Sequence, residues 1–190
     1  MLAIFKREFK SYFQNVIGWL FVAALLAVYG LYFYVYNLKN GYPYISYDLK
    51  GIGFIMMIAV PILTMRSLSD EKKTKTDQLM LTSPVSVGKI VAGKYFAMAA
   101  VYTIVIALFA LSPLVLSIYG KVALSEAYVA LFGYWLYGLS CIAVGLFISS
   151  ISESVIISAI LTFAALFLSY MMQSITGLIS SSGNLLTKVL

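Results

Sequence analysis

Residues 66–94 read RSLSDEKKTKTDQLMLTSPVSVGKIVAGK and form the one long stretch of the chain that water would solvate readily. Lysine and arginine alternate in it with Asp70, Glu71 and Asp77. An apolar run long enough to cross a bilayer lies on each side of it. The sequence therefore predicts a polar loop that joins two membrane-spanning helices.

The overall composition agrees with a membrane protein. Of the 190 residues, 62% are hydrophobic and 11% are charged, whereas a soluble domain has about 45–50% apolar and about 25% charged residues. The mean hydropathy is +0.97. The net charge of +6 comes from basic residues beside apolar runs, where they mark cytoplasmic ends, so we expect no nucleic-acid partner.

Residues that carry reactive chemistry are scarce. Cys141 is the only cysteine and there is no histidine, so we expect no disulfide within the chain, no metal site and no catalytic residue. A phosphate-binding G-x-x-x-x-G-K-[ST] loop is absent, which indicates that this chain is not itself an ATPase. A membrane enzyme would need a nucleophile–base pair or clustered carboxylates, and the acidic residues of the 66–94 stretch are interleaved with lysines.

Residues 1–15 have the pattern of an amphipathic helix. Leu2, Phe5 and Phe9 fall on one face at about 100° per residue, and Lys6 and Lys10 fall on the other. A cleaved signal peptide is the alternative, but no small-residue cleavage site follows a short apolar core. We therefore predict a helix that lies at the membrane surface.

Five apolar runs predict five transmembrane helices, over residues 16–36, 50–68, 95–118, 128–148 and 155–173. Pro61 and Pro113 predict kinks in the second and third. Tyrosines crowd the end of the first span, as in a membrane aromatic belt, with an aromatic ligand box as the alternative. Residues 174–190 are predicted to be an outer segment, too short to cross the membrane.

The basic residues set the orientation. A cytosolic amino terminus places nine of them inside, and leaves four outside: Lys39, Lys50, Lys121 and Lys188. The 69–94 loop then faces the cytosol. No ionisable residue lies deep within a predicted span, whereas ion-driven carriers usually keep such groups, so the driving energy is expected from outside the chain.

Within the loop, residues 76–82 can form a short helix with Asp77 in its first turn, before Pro84 ends it. Ser86 can cap the next helix. The alternative is an idle, solvated loop, and the chemistry alone does not decide between the two. Small residues at four-residue spacing, Cys141, Gly145 and Ser149, predict close helix packing, with a substrate contact as the alternative.

Residues 71–86, EKKTKTDQLMLTSPVS, resemble the pattern E-R-R-x-G-T-x-E-x-L-L-x-x-P-[VI]-S of type-2 permeases of the ATP-binding cassette (ABC) superfamily. The opening KREFK at 6–10, GKY at 93–95 and GLFISS at 145–150 are also similar to that family. Two features depart from it, since Lys75 stands where the family has glycine and only five of the usual six spans are found.

The resemblance implies an all-α polytopic membrane protein with one permease domain over residues 1–190. Residues 1–15 would be the amino-terminal amphipathic elbow helix, and a cytosolic coupling helix would lie between the second and third spans, with the sixth span missing. The residues implied to dock an ATPase are Glu71, Thr76, Asp77, Leu79, Met80, Leu81 and Pro84.

The same resemblance implies the partners. They are a separate cytosolic ABC ATPase that holds ATP and Mg, a second permease chain in a homodimer or heterodimer, and membrane lipid. The function implied is export of a cargo. The resemblance also implies that the subunit is a multi-pass protein of a bacterial plasma membrane. The alternative is a membrane anchor or sensor that recruits an ATPase without transporting anything.

Overall fold

The computed structural model describes residues 2–42, 44–73, 86–119 and 123–189, with the side chains of the last helix described as far as Met172. Across these ranges the chain contains helices and no strand. Five of its helical stretches are long and apolar enough to cross a membrane: Val16–Lys39, Ile45–Lys73, Val87–Ile118, Leu124–Ile151 and Val155–Met172. The prediction of an all-α polytopic membrane protein is confirmed.

The amino-terminal helix α1, Leu2–Gln14, is followed after one residue by the first span, α2, Val16–Phe33, and the chain bends between them. Asn15 has an extended backbone and separates the two helices. Across this bend the Trp19 indole N–H donates to the Phe13 carbonyl at 2.9 Å, and the two rings meet edge to face. Gly18 lies directly against the Tyr12 backbone, where a side chain would not fit. These contacts fix the angle between α1 and the first span.

The first span ends in a π-helix, Tyr34–Lys39. Gly41, at φ 70°, then reverses the chain, and the Tyr42 N–H donates to the Tyr36 carbonyl at 3.1 Å. Such a left-handed residue after a helix is readily supplied by glycine because it lacks a Cβ. The turn brings the chain directly into the second span.

The second span is helix α3, Ile45–Thr64, followed by a turn and the short helix α4, Ser69–Lys73. It begins earlier than the predicted boundary at residue 50, with Asp48 in its first turn, where a carboxylate is favourable for the helix dipole. Pro61 lies inside α3, which ends three residues later, and the Met65 N–H donates to the Pro61 carbonyl at 2.8 Å.

Helix α5, Val87–Phe109, and helix α6, Ser112–Tyr119, form the third span. The chain breaks between them at residues 110–111, beside Pro113, whose missing N–H costs nothing in the first turn of a helix. Because α5 starts at Val87, Lys89 and Lys94 belong to a helix and not to the predicted 69–94 loop. Ser86 occupies the N-cap position, but its side chain makes no cap hydrogen bond.

Helix α7, Leu124–Ile151, and helix α8, Val155–Val189, complete the bundle. Both extend beyond the predicted spans 128–148 and 155–173. Hydropathy identifies the apolar centre of a helix, whereas backbone hydrogen bonding continues into the polar residues at its ends. Helix α8 also runs through the stretch 174–189, where the sequence predicted a separate outer segment.

Helix α3 is the centre of the fold and packs against α2, α7 and α8, while α5 packs against α1, α2 and α7. Ile52, Met57 and Leu63 of α3 are fully buried, as are Tyr102 of α5 and Ile142 of α7. Large apolar side chains such as Trp19, Phe132 and Ile156 remain exposed on the outside of the bundle. A lipid-facing surface has this composition, because hydrocarbon chains do not exclude apolar groups.

Candidate functional site

The Lys94 side chain is buried at the end of the bundle where the 74–85 stretch enters and leaves. It is 1% exposed. Its ammonium group donates to the Ser67 carbonyl at 2.7 Å and to the Glu71 carboxylate at 2.7 Å, and forms an ion pair with Glu8 at 3.5 Å. Because a buried ammonium is stable only when paired and hydrogen-bonded, these contacts explain its position. They join α1, the turn after α3, α4 and α5.

Arg7 completes this group at its exposed rim. Its guanidinium lies 2.8 Å from the Glu8 carboxylate and 3.9 Å from that of Glu71. We call Arg7, Glu8, Glu71 and Lys94 the Lys94 cluster. Its two carboxylates balance its two cations, so the cluster carries no net charge while it ties α1 to both ends of the 74–85 stretch.

Tyr12 adds a second tie between α1 and the second span. Its hydroxyl donates to the Leu63 carbonyl, near the end of α3, at 3.5 Å. Burial raises the pKa of Tyr12, and the nearby Glu8 carboxylate raises it further. The hydroxyl therefore stays neutral at physiological pH and keeps its hydrogen as a donor.

Ser149, in the last turn of α7, holds the beginning of α4. Its hydroxyl oxygen accepts from the Leu68 and Ser69 N–H groups, both at 3.2 Å. The Ser69 hydroxyl lies 3.2 Å from the Ser149 carbonyl and 3.0 Å from its hydroxyl. Lys72 also donates to the Ser150 carbonyl. These bonds attach α4, which precedes the 74–85 stretch, to the fourth span.

The three small residues predicted to pack helices are all buried along α7. Gly145 lies against Thr64 of α3 so closely that an added Cβ would stand 2.5 Å from the Thr64 hydroxyl oxygen. Ser149 contacts the turn after α3, as described above, and the Cys141 side chain is 4% exposed. Close approach of two helices at a residue without a side chain is typical of membrane bundles.

The residues predicted to dock an ATPase divide into two groups. Glu71 lies in the Lys94 cluster, where it bonds within the chain. Thr76, Asp77, Leu79, Met80, Leu81 and Pro84, and with them the predicted short helix 76–82, fall outside the described residues. Their docking role stays a prediction.

Sequence reasoning missed three members of the Lys94 cluster, Arg7, Glu8 and Lys94. Lys94 reads as an ordinary lysine at the start of an apolar run. Its partner Glu8 stands on a different helix far away in the sequence. Only the charge of Glu8 on a basic amphipathic helix could have indicated a partner.

The opposite end of the bundle contains a second buried polar pair. The Asn37 amide, in the π-helix, donates to the Asp48 carboxylate, and Asp48 is fully buried in the first turn of α3. The expectation that no ionisable residue lies deep within a predicted span concerned residues 50–68 and 95–118, and Asp48 and Lys94 lie just before these ranges, near the starts of α3 and α5. The spans predicted from hydropathy began at residues 50 and 95, so neither residue was recognised as part of a membrane helix. The Tyr29 and Ser112 hydroxyls form a further buried hydrogen bond near this end.

A family model described as ABC-2 family transporter protein matches residues 8–189, which include all five long helices and much of α1. No curated protein and no solved structure shows significant similarity to the chain. The family is a transmembrane component that is not itself catalytic, and in general it works with an ABC ATPase. The chain therefore belongs to the ABC-2 transporter family and is a transmembrane permease of an ABC transporter.

Proposed function

We propose that the chain is the permease subunit of an exporter whose separate ATPase docks on residues 69–86. Binding of ATP would bring two ATPases together, and two permease chains would then move between inward-open and outward-open states. The cargo would be lipid-like, peptide or hydrophobic, in keeping with spans that are mostly apolar.

The Lys94 cluster is the observation that carries this proposal. A protein that pushes on the 74–85 stretch acts directly on α4, through Lys73, and on α5, through Ser86 and Val87. Since Lys94 bonds to Glu71 at 2.7 Å and pairs with Glu8, α4 and α5 move together with α1. Separating a buried ion pair costs several kcal/mol, so the cluster can pass a load from the loop to the helices.

Ser149 supports the same conclusion for the fourth span. Its bonds to the Leu68 and Ser69 N–H groups make the end of α7 follow α4. A load on the loop would therefore reach the second, third and fourth spans at once. A rigid connection of this kind suits a subunit that changes shape as a unit, whereas a passive anchor has no need of it.

Leu79 and Met80 are the proposed contacts with the ATPase. They are apolar residues within a charged stretch that includes Lys72, Lys73, Lys75 and Asp77. Apolar side chains in such a stretch are best accommodated in a groove of a partner. The exposed apolar faces of α2 and α8, with Trp19, Leu31, Ile156 and Leu168, are proposed to meet a second permease chain.

The test is cargo-stimulated ATP hydrolysis by the permease and its ATPase in liposomes. Replacing Leu79 and Met80 together by Asp should abolish the stimulation, because two charges would enter an apolar contact. The control replaces Thr74 and Thr82 by Asp, which adds the same charge to the same stretch and should leave most of the stimulation.

If the Leu79→Asp, Met80→Asp variant binds the ATPase and stimulates hydrolysis as the wild type does, residues 69–86 are not the docking site. An anchor or sensor would give a different result. An ATPase would bind to the wild-type anchor, and the Leu79→Asp and Met80→Asp substitutions would abolish that binding. ATP would nevertheless drive no cargo across the vesicle membrane, even with the wild-type chain.

A further inference from the structure

A groove of about 830 Å³ opens between helices α3, α7 and α8. It is lined by Lys50 and Gly53 of α3, by Gly133, Tyr134 and Tyr137 of α7, and by Tyr170 of α8. These residues belong to the first turns of α3, to the first half of α7 and to the middle of α8. The groove therefore lies toward the end of the bundle opposite the Lys94 cluster.

Two glycines keep the groove open. A Cβ added at Gly53 or at Gly133 would meet nothing within 4 Å. The next glycines along α7 behave differently, since Gly138 is packed against Tyr102 and Gly145 against Thr64. Glycine therefore serves close helix packing in the second half of α7 and leaves free space in the first half.

The groove carries donors suited to an anion. Lys50 is exposed, and no carboxylate of the described chain forms an ion pair with it. The Tyr134 hydroxyl is buried and has no hydrogen-bond partner among the described residues. A buried donor without a partner is costly and suggests a ligand that completes it. An ammonium and a hydroxyl together suit a phosphate group.

The rest of the lining suits a hydrocarbon chain. Leu49, Ala130 and the tyrosine rings supply apolar surface. Large apolar side chains that face outward, Phe54, Phe132 and Leu168, stand on the same three helices, so the groove lies among surfaces that suit the hydrocarbon layer. Its volume falls within the range of about 300–1,000 Å³ typical of small-molecule sites.

We propose that this groove binds one anionic phospholipid of the surrounding bilayer as a resident ligand. The phosphate lies at Lys50 and Tyr134, and an acyl chain lies against Gly53 and Gly133. Charge complementarity favours an anionic over a zwitterionic headgroup, and the lateral position favours entry from the bilayer. The proposal concerns lipid bound by the permease chain alone and does not depend on an ATPase.

The test is native mass spectrometry of the purified chain with phosphatidylglycerol or phosphatidylcholine of the same acyl chains. Lys50→Gln should lower the retention of phosphatidylglycerol about tenfold, the effect of one lost charge-assisted bond, and should lower that of phosphatidylcholine less, because its choline cation already offsets the attraction of the lysine. Gly133→Leu should remove the bound lipid, because the side chain fills the groove. If Gly133→Leu fails to fold, by circular dichroism, Gly53→Leu makes the same test.

Two controls match these variants. Gly88→Leu adds the same side chain at another open helical glycine, at the start of α5. Lys39→Gln removes an exposed lysine that does not line the groove. Both should retain phosphatidylglycerol as the wild type does.

Wild-type retention by both Lys50→Gln and Gly133→Leu would overturn the proposal. An equal loss of phosphatidylglycerol from Lys39→Gln would also overturn the proposal, because exposed lysines would then attract the anionic lipid without a specific site. A second arm separates a resident lipid from a cargo. Labelled phosphatidylglycerol should not cross liposomes with ATP when the permease and its ATPase are present, and ATP-dependent crossing would contradict the resident role.

Discussion

At the scale of single residues, the burial of Lys94 is the feature that most constrains the molecule. An ammonium that is 1% exposed would be unstable alone, and Ser67, Glu71 and Glu8 supply the partners it needs. Glu8 and Glu71 keep 15% and 19% of their side-chain surface exposed. If the lysine is removed, water can therefore hydrate the two carboxylates in part. In the wild-type chain, water cannot reach the ammonium.

Replacing Lys94 by Ala should lower the stability of the purified chain by about 3 kcal/mol, at the low end of the cost of breaking a buried pair. The measurement is the apparent melting temperature in detergent. Lys89→Ala is the matched control, because Lys89 is exposed on the same helix, and it should melt as the wild type does. Equal melting of the two variants would mean that the Lys94 cluster contributes no stability.

Replacing Ser149 by Ala should cost about 1–3 kcal/mol, because the Leu68 and Ser69 N–H groups would lose their acceptor while partly or fully buried. Ser140→Ala is the control, since the Ser140 hydroxyl is exposed and bonds only to the Leu136 carbonyl of its own helix. Thermal melting of the two variants makes the comparison. An unchanged melting temperature for Ser149→Ala would show that water replaces the hydroxyl.

The buried charges could not be predicted from the sequence. Hydropathy places a lysine next to an apolar run at the exposed end of a span. Lys89 is indeed exposed, but Lys94 is buried. The difference depends on Glu8 and Glu71, which reach Lys94 only when α1 and α4 are folded against α5. Asp48 was hidden in the same way, because its partner Asn37 comes from the π-helix of the preceding span.

At the scale of elements, the membrane spans were predictable because a bilayer requires about 20 apolar residues in a row. The family resemblance of residues 71–86 was equally readable, and the family match over residues 8–189 confirms it. Element ends were less accurate. Helices α3 and α5 begin before their apolar runs, at Ile45 and Val87, where polar residues continue the backbone hydrogen bonding.

The packing of α7 on the end of α3 gives a prediction at this scale. Gly145→Ala should destabilise the chain by about 1–3 kcal/mol, the usual cost of overpacking, because its Cβ would stand 2.5 Å from the Thr64 hydroxyl oxygen. Gly133→Ala, on the same helix but facing open space, should change stability by less than about 1 kcal/mol. Melting of the two variants tests the contrast, and an equal shift would mean that α3 and α7 adjust to the methyl group.

At the scale of the whole molecule, we propose different roles for the two ends of the helix bundle. The end with the Lys94 cluster and Ser149 connects α1, α4, α5 and α7 where an ATPase would dock. The groove with Lys50, at the other end, would hold a lipid. Five membrane-spanning helices connect these ends, so a load received at one end would reach the other through rigid helices.

For an ATPase to act on the stretch between the second and third spans, that stretch must face the cytosol, as we propose. The most direct test of this orientation is labelling of single cysteines, introduced one at a time in place of Lys73 and Lys39, with a membrane-impermeant maleimide. Both lysines are exposed, and the native Cys141 is buried. We expect Lys39→Cys to react in intact cells and Lys73→Cys to react only after the membrane is permeabilised. Reaction of Lys73→Cys in intact cells would contradict the proposed orientation.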